Sequence, residues 1–180
     1  MTVTEHAKRL GASDPQWAEF SSALPVASYR YRSMGRACGD ALYVGDQLHR
    51  AFSKYADRQR VDQPFFEICR KIEEALAEQG VCEVASEVNI RSADLAGRVD
   101  LHGKTHLGRP VVVELKATLG EYALQPRASE VVQLVTYAEL LNLQDPLLLC
   151  IRVSFDASVL NVFKIEIPEN LRSTGTLRRN

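Results

Sequence analysis

Six consecutive residues constrain this chain more than any other segment: Val111-Val112-Val113-Glu114-Leu115-Lys116. A valine triplet suits a strand inside a sheet, because β-branched side chains pack well on a pleated surface. Successive side chains of a strand point to opposite faces. Val111, Val113 and Leu115 therefore share one face, and Val112, Glu114 and Lys116 share the other. A carboxylate and an ammonium then lie side by side in what should be the most buried strand. Burying such groups is costly unless they are paired or hold a cation. An exposed pair on an edge strand is the competing reading, and the valines argue against it.

The preceding segment adds a third charge. Gly97-Arg98-Val99-Asp100-Leu101 alternates in the same way, with Val99 and Leu101 on one face and Arg98 and Asp100 on the other. An antiparallel hairpin through His102–Arg109, which holds Gly103 and Gly108, brings Asp100 beside Glu114. Two carboxylates forced together repel, so one is protonated or a cation sits between them. Hard oxygen ligands suit Mg²⁺ or Mn²⁺. Lys116 beside such an ion can orient a water and stabilise charge on a phosphate, the apparatus of metal-assisted phosphodiester hydrolysis.

The rest of the chain supports a sheet around this strand. A helix is expected about Pro15–Leu24. A longer one carries Leu42, Gly45, Leu48 or His49, Phe52 and Tyr55 at three- and four-residue steps. A third runs from Asp62 as cap to Gly80, with Phe65, Ile68, Ile72 and Leu76 as its buried stripe. Val81–Ile90 reads as a strand with Val84, Ser86, Val88 and Ile90 on one face; Gly97–His102 and Pro110–Ala117 follow. Pro126–Asn142 is a helix with Val131, Leu134, Val135, Ala138 and Leu141 inward, stopped at Asp145-Pro146. Leu147–Val153 is a strand covered on both faces, Val159–Ile167 an edge strand, and 168–180 a frayed tail. This order predicts an α/β (α+β) fold, a mixed central sheet flanked by helices. It forms a single domain over 1–180, with 1–80 mainly helical and 81–167 the αβ core.

The motif order resembles the PD-(D/E)xK nuclease superfamily, and most closely its RecB-like exonuclease branch, which includes CRISPR-associated members. Asp100, thirteen intervening residues and Glu114-Leu115-Lys116 match its central signature. Gly97-Arg98-Val99-Asp100 resembles its Gly-x-x-Asp strand. Gln133-Leu134-Val135-Thr136-Tyr137 resembles its Gln-x-x-x-Tyr helix, and Gly45-Asp46-Gln47-Leu48-His49 its upstream Gly-x-x-x-His. The resemblance spans about Gly45 to Tyr137 and implies a restriction-endonuclease-like αβββαβ core. It also implies that Asp100, Glu114, His49 and the Leu115 carbonyl hold Mg²⁺ or Mn²⁺, that Lys116 positions the attacking water, and that Gln133 and Tyr137 organise the site; the competing readings are a packed core histidine at His49 and a helix–sheet contact for Gln133 and Tyr137. Members with an iron–sulfur cluster hold it with one cysteine before the core and a group after it. Only Cys150 follows Tyr137, so no cluster is expected.

Other features take their readings from this frame. Arg50, Lys54 and Arg58 are spaced by four and share a helix face, where they either hold phosphates or form a solvated surface. Glu67 and Glu87 are secondary candidates for an extra acidic ligand. His102 and His106 are expected in an exposed loop. Cys38, Cys69, Cys82 and Cys150 form no C-x-x-C pair and read as reduced thiols, Cys69 and Cys150 within apolar patterns.

The net charge is -1, so any nucleic acid must bind a local patch rather than bulk charge. No apolar run suits a membrane span, and the N-terminal residues lack a signal-peptide pattern, so an intracellular, non-membrane protein is expected. The expected activity is a Mg²⁺- or Mn²⁺-dependent nuclease on DNA, either an exonuclease or a structure-selective endonuclease. The alternatives are a catalytically silent nuclease-fold subunit of a larger complex, with a protein partner or a second copy, and an RNA endonuclease of the cap-snatching type.

Overall fold

The computed structural model describes residues 1–13, 23–31, 41–63, 65–119, 125–155 and 158–167. In chain order the elements are α1 (Val3–Ser13), β1 (Leu24–Arg30), α2 (Ala41–Ala56), α3 (Phe65–Glu78), β2 (Val81–Arg91), β3 (Ala96–Thr105), β4 (Pro110–Thr118), α4 (Ala128–Leu140), β5 (Leu147–Ser154) and β6 (Val159–Ile165). They build an α+β fold around one open, six-stranded sheet of order β1-β6-β5-β4-β3-β2. Every neighbouring pair is antiparallel except β4–β5, which is parallel. A parallel pair needs a crossover, and α4 supplies it.

The valine strand lies in the middle, as its composition requires. Val111, Val113 and Leu115 pack with Leu48 and Phe52 of α2 and Ile68 and Ile72 of α3. Val112 packs on the other side with Val131, Leu134 and Val135 of α4 and with Leu148 and Cys150 of β5. Every residue of β5 is buried, in keeping with a strand covered on both faces. The whole stretch Glu130–Ala138 of α4 is buried too. A helix enclosed all round needs a second cover, and α1 supplies it, with Val3 and Ala7 packed into the same core.

Several expectations change. Leu24, the end of the helix expected at Pro15–Leu24, begins strand β1; most of the rest of that segment lies outside the described residues. The described part before residue 80 is mainly helical, as expected, but β1 takes the sheet edge. Strand β6, expected there, is enclosed between β5 and β1. Helix α2 buries Val44, Leu48, Ala51 and Phe52, while Leu42 is 83% exposed. Leu48 and Phe52 of the expected stripe are buried and Tyr55 packs against the same core, Val44 and Ala51 take the place of Leu42, and His49 approaches Asp100 of β3. His102 belongs to β3 rather than to the loop, and His106 is exposed in the turn. Cys69 and Cys150 are buried free thiols and Cys82 an exposed one; Cys38 and the tail 168–180 lie outside the described residues.

The expected alternation of β2 and β3 fails at one point. Val84 and Leu101 pack on the α2–α3 side, but Val88, Ile90 and Val99 pack on the α4 side. The pleat turns over at Glu87, whose φ is 57°. A left-handed residue breaks the two-residue period.

Candidate active site

The reversed pleat leaves Asp100 at a seam. Strand β3 pairs with β4 as far as Leu101–Val113. Beyond it, the Leu115 N–H donates to Asp100 Oδ2 at 2.8 Å. A side-chain carboxylate thus takes the place of the next ladder acceptor. The other oxygen, Oδ1, lies 3.3 Å from His49 Nδ1 on α2. Glu87 Oε1 lies 3.8 Å from the same nitrogen. One ligand atom from each of His49, Glu87 and Asp100 fits within a 4.8 Å group, the only such group of three among the described residues. Glu87, of undecided face in the sequence, is therefore at the site. Glu67, in the first turn of α3, does not line the cleft.

Glu114 stands outside that group but beside it. Its side chain is fully buried and its Oε1 is paired with Lys116 Nζ. Its Oε2 is buried with no hydrogen-bond partner. An unpaired buried carboxylate oxygen is costly. His49, Asp100, Glu114, Leu115 and Lys116 all line one cleft of about 900 Å³. The contact shown for Leu115 is its N–H on Asp100.

Burial dominates the electrostatics of these groups. It pushes the Asp100 carboxyl up, against the opposing pull of Lys116 and the Leu115 N–H. Burial, with Asp100 adding repulsion, pushes Glu114 up further, and Lys116 does not offset it. Burial alone would lower the Lys116 ammonium, but Glu114 and Asp100 overcome it and hold it charged. Burial, then Lys116, lowers His49, so its imidazole is neutral and able to ligate near neutral pH. Glu87, Asp100 and Glu114 thus face Arg98 and Lys116, three acids against two bases. A cation in place of the protons that burial keeps on these carboxyls would let them ionise, and an oxygen set with one imidazole suits Mn²⁺ or Mg²⁺.

Helix α4 closes the cleft. Gln133 Nε2 donates to the Tyr137 hydroxyl at 3.1 Å, as an i, i+4 pair can. Both line the cleft with Lys116. Burial pushes the Tyr137 hydroxyl up to about 12, with Glu114 adding to it, so it stays protonated. Gly97 explains how close the helix comes: a Cβ there would lie 2.8 Å from Tyr137 Cε1.

Arg50, Lys54 and Arg58 do not line the cleft. Arg50 pairs with Asp46 at 2.9 Å, and Arg58 approaches Glu73 at 3.8 Å. Sequence reasoning passed over a buried pair behind the site. Arg152 of β5, in register with Lys116, is 2% exposed and pairs with Glu130 at the start of α4. The available signal was an arginine inside the apolar run Leu147–Val153. A second cavity, of about 570 Å³, opens beside the C-terminal end of α4.

No family model matches the chain, and no curated protein matches it. One solved structure that it resembles, described only as the crystal structure of SSO0001, shares 16% identity at a TM-score of 0.47. The match covers 100% of this chain and 76% of that one. That likeness carries no functional assignment.

Proposed function

We propose that the protein is a Mg²⁺- or Mn²⁺-dependent nuclease that hydrolyses DNA phosphodiester bonds, as the resemblance to RecB-like PD-(D/E)xK nucleases implies. The observation that carries this reading is the unpartnered, buried Glu114 Oε2 in the cleft shared with His49, Asp100 and Lys116. His49, Asp100 and Glu114, with the Leu115 carbonyl and Glu87, would hold the ion, which would polarise the phosphodiester as a Lewis acid.

The chain's own groups account for the rest. Lys116 is held charged by two carboxylates, so it can orient an attacking water and stabilise charge growing on the phosphate, but it cannot ligate a cation. Glu114 fixes that ammonium in place. Asp100 is locked by the Leu115 N–H, so its free oxygen keeps one direction. Gln133 and Tyr137 present an amide and a protonated hydroxyl to the same space and orient the substrate. The enzyme would act inside the cell, as an exonuclease or on particular DNA structures.

The test is incubation of purified protein with end-labelled single- and double-stranded DNA and RNA, with Mn²⁺ or with EDTA, beside Glu114→Gln. Mn²⁺-dependent DNA cleavage lost in Glu114→Gln is expected. Cleavage of RNA alone would move the substrate to RNA. Binding without cleavage would make the chain a silent subunit, and equal cleavage in EDTA would end the metal mechanism.

A further inference from the structure

Arg98 lies two residues before Asp100 on β3 and lines the cleft. Its side chain is 56% exposed, and its Nη1 approaches Glu87 Oε2 at 2.6 Å. The other Glu87 oxygen faces His49 at 3.8 Å. One carboxylate therefore bridges an arginine at the rim and the His49–Asp100 pair within. The left-handed backbone at Glu87 places it between them. Among the described residues lining the cleft, Arg98 and Lys116 are the only lysine or arginine side chains. Lys116 is tied to the buried Glu114. Arg98 is the one whose partner is also partly exposed, and such pairs are weak.

A guanidinium is a fork that binds phosphate oxygens in pairs. The unpartnered Glu114 Oε2 independently marks the space beside it as one that awaits a cation. Resting on the nuclease reading, we propose that Arg98 receives a DNA phosphate beside the scissile bond, and that this releases Glu87 to join His49 and Asp100 as a metal ligand. Arg98 is a substrate-binding residue, and Glu87 is exchanged between two partners. Phosphate and metal then reinforce each other's binding, and linkage makes the effect reciprocal.

The experiment uses the full chain carrying Lys116→Ala, so that the strand stays uncut. Anisotropy of a fluorescein-labelled single-stranded DNA oligonucleotide is read across salt, with and without Mn²⁺, and calorimetry reads Mn²⁺ binding to the free protein. Adding Arg98→Ala should weaken DNA binding on the order of tenfold and reduce the salt slope by about one. Arg98→Lys should recover part of the affinity. Mn²⁺ alone should bind Arg98→Ala at least as tightly as its parent, because Glu87 is released. The gain in DNA affinity from Mn²⁺ should shrink in Glu87→Gln. Arg98→Ala with the parent's DNA affinity and salt slope would overturn the phosphate role, and full coupling in Glu87→Gln would overturn the exchange. A parent that binds neither Mn²⁺ nor DNA would overturn the nuclease reading, and this with it; a parent that binds both leaves Arg98 to be judged alone.

Discussion

Glu87 stands across the β2–β3 ladder from Asp100, between the pairs Ser86–Leu101 and Val88–Val99. On one side of this step Ser86 reaches Ser53 of α2, and on the other Val88 and Val99 enter the core under α4. Two acids thus meet at the place where the hairpin changes faces, with His49 within reach of both. A non-glycine residue in the left-handed region costs roughly 1–2 kcal/mol. The fold sustains this cost where it brings a carboxylate toward an imidazole.

That geometry separates stability from ligation. Glu87→Gly should melt no lower than the parent, since glycine adopts this backbone freely. Glu87→Gln should keep the shape and lose the charge. With an uncut DNA strand in the cleft of the Lys116→Ala protein, both should weaken Mn²⁺ binding about tenfold or more, measured by calorimetry beside melting curves. Parent affinity in both variants would leave Glu87 as a partner of Arg98 only.

Much of the site was legible because it rests on the two-residue period of a buried strand. Glu114 and Lys116 share the face opposite Val111, Val113 and Leu115, as their alternation requires. Asp100 was legible through hairpin length. The face of Glu87 was not, because a positive φ at glutamate has no signature in residue order. Leu48 and Phe52 of the α2 stripe follow from the helical period, but Leu42 does not face the core, because only packing on the sheet chooses Val44 and Ala51 over it. Strand β1 escaped notice because no residue in it is buried, which leaves no hydrophobic alternation to read.

The carboxylates tie stability to pH. Burial raises Asp100 and Glu114 above their unfolded values, so the folded chain keeps protons that the unfolded chain releases. This stability is full below the ordinary carboxylate range and is lost as pH rises through the raised values. His49, lowered by burial, acts oppositely, and its contribution is lost as pH falls through its depressed value. In EDTA the melting temperature should therefore fall between about pH 5 and about pH 8. Glu114→Gln should fall less, by about 3 °C for each kcal/mol removed. Mn²⁺ should stabilise the parent most at the alkaline end. A parent and a Glu114→Gln that share one pH profile would show that Glu114 is ionised throughout.

Lys116 pairs with Glu114, a proposed metal ligand, and an ammonium cannot itself ligate a cation. Lys116→Ala should lower turnover about a hundredfold to a thousandfold, the scale of losing one transition-state donor. Mn²⁺ affinity should stay near the parent's, unlike that of Asp100→Ala or Glu114→Ala. Melting curves must show each variant folded. A folded Lys116→Ala that cuts at the parent's rate would make Glu114 and Lys116 a structural pair.

Behind the site, Arg152 and Glu130 form a buried ion pair, and Glu130 also accepts from the Arg127 N–H at the start of α4. Glu130 does two tasks: it neutralises a buried guanidinium and caps the helix that carries Gln133 and Tyr137. Removing it leaves Arg152 charged and enclosed, which costs about 3–5 kcal/mol. Glu130→Gln, which keeps a polar cap, should therefore show a large loss in urea unfolding. The double variant Glu130→Gln with Arg152→Met removes the isolated charge while keeping a polar cap, so it should recover most of that stability. Coupling between the two positions should be at least about 2 kcal/mol by double-mutant cycle. If Glu130→Gln and the double variant are equally unstable, the stranded charge of Arg152 is not the source of the loss.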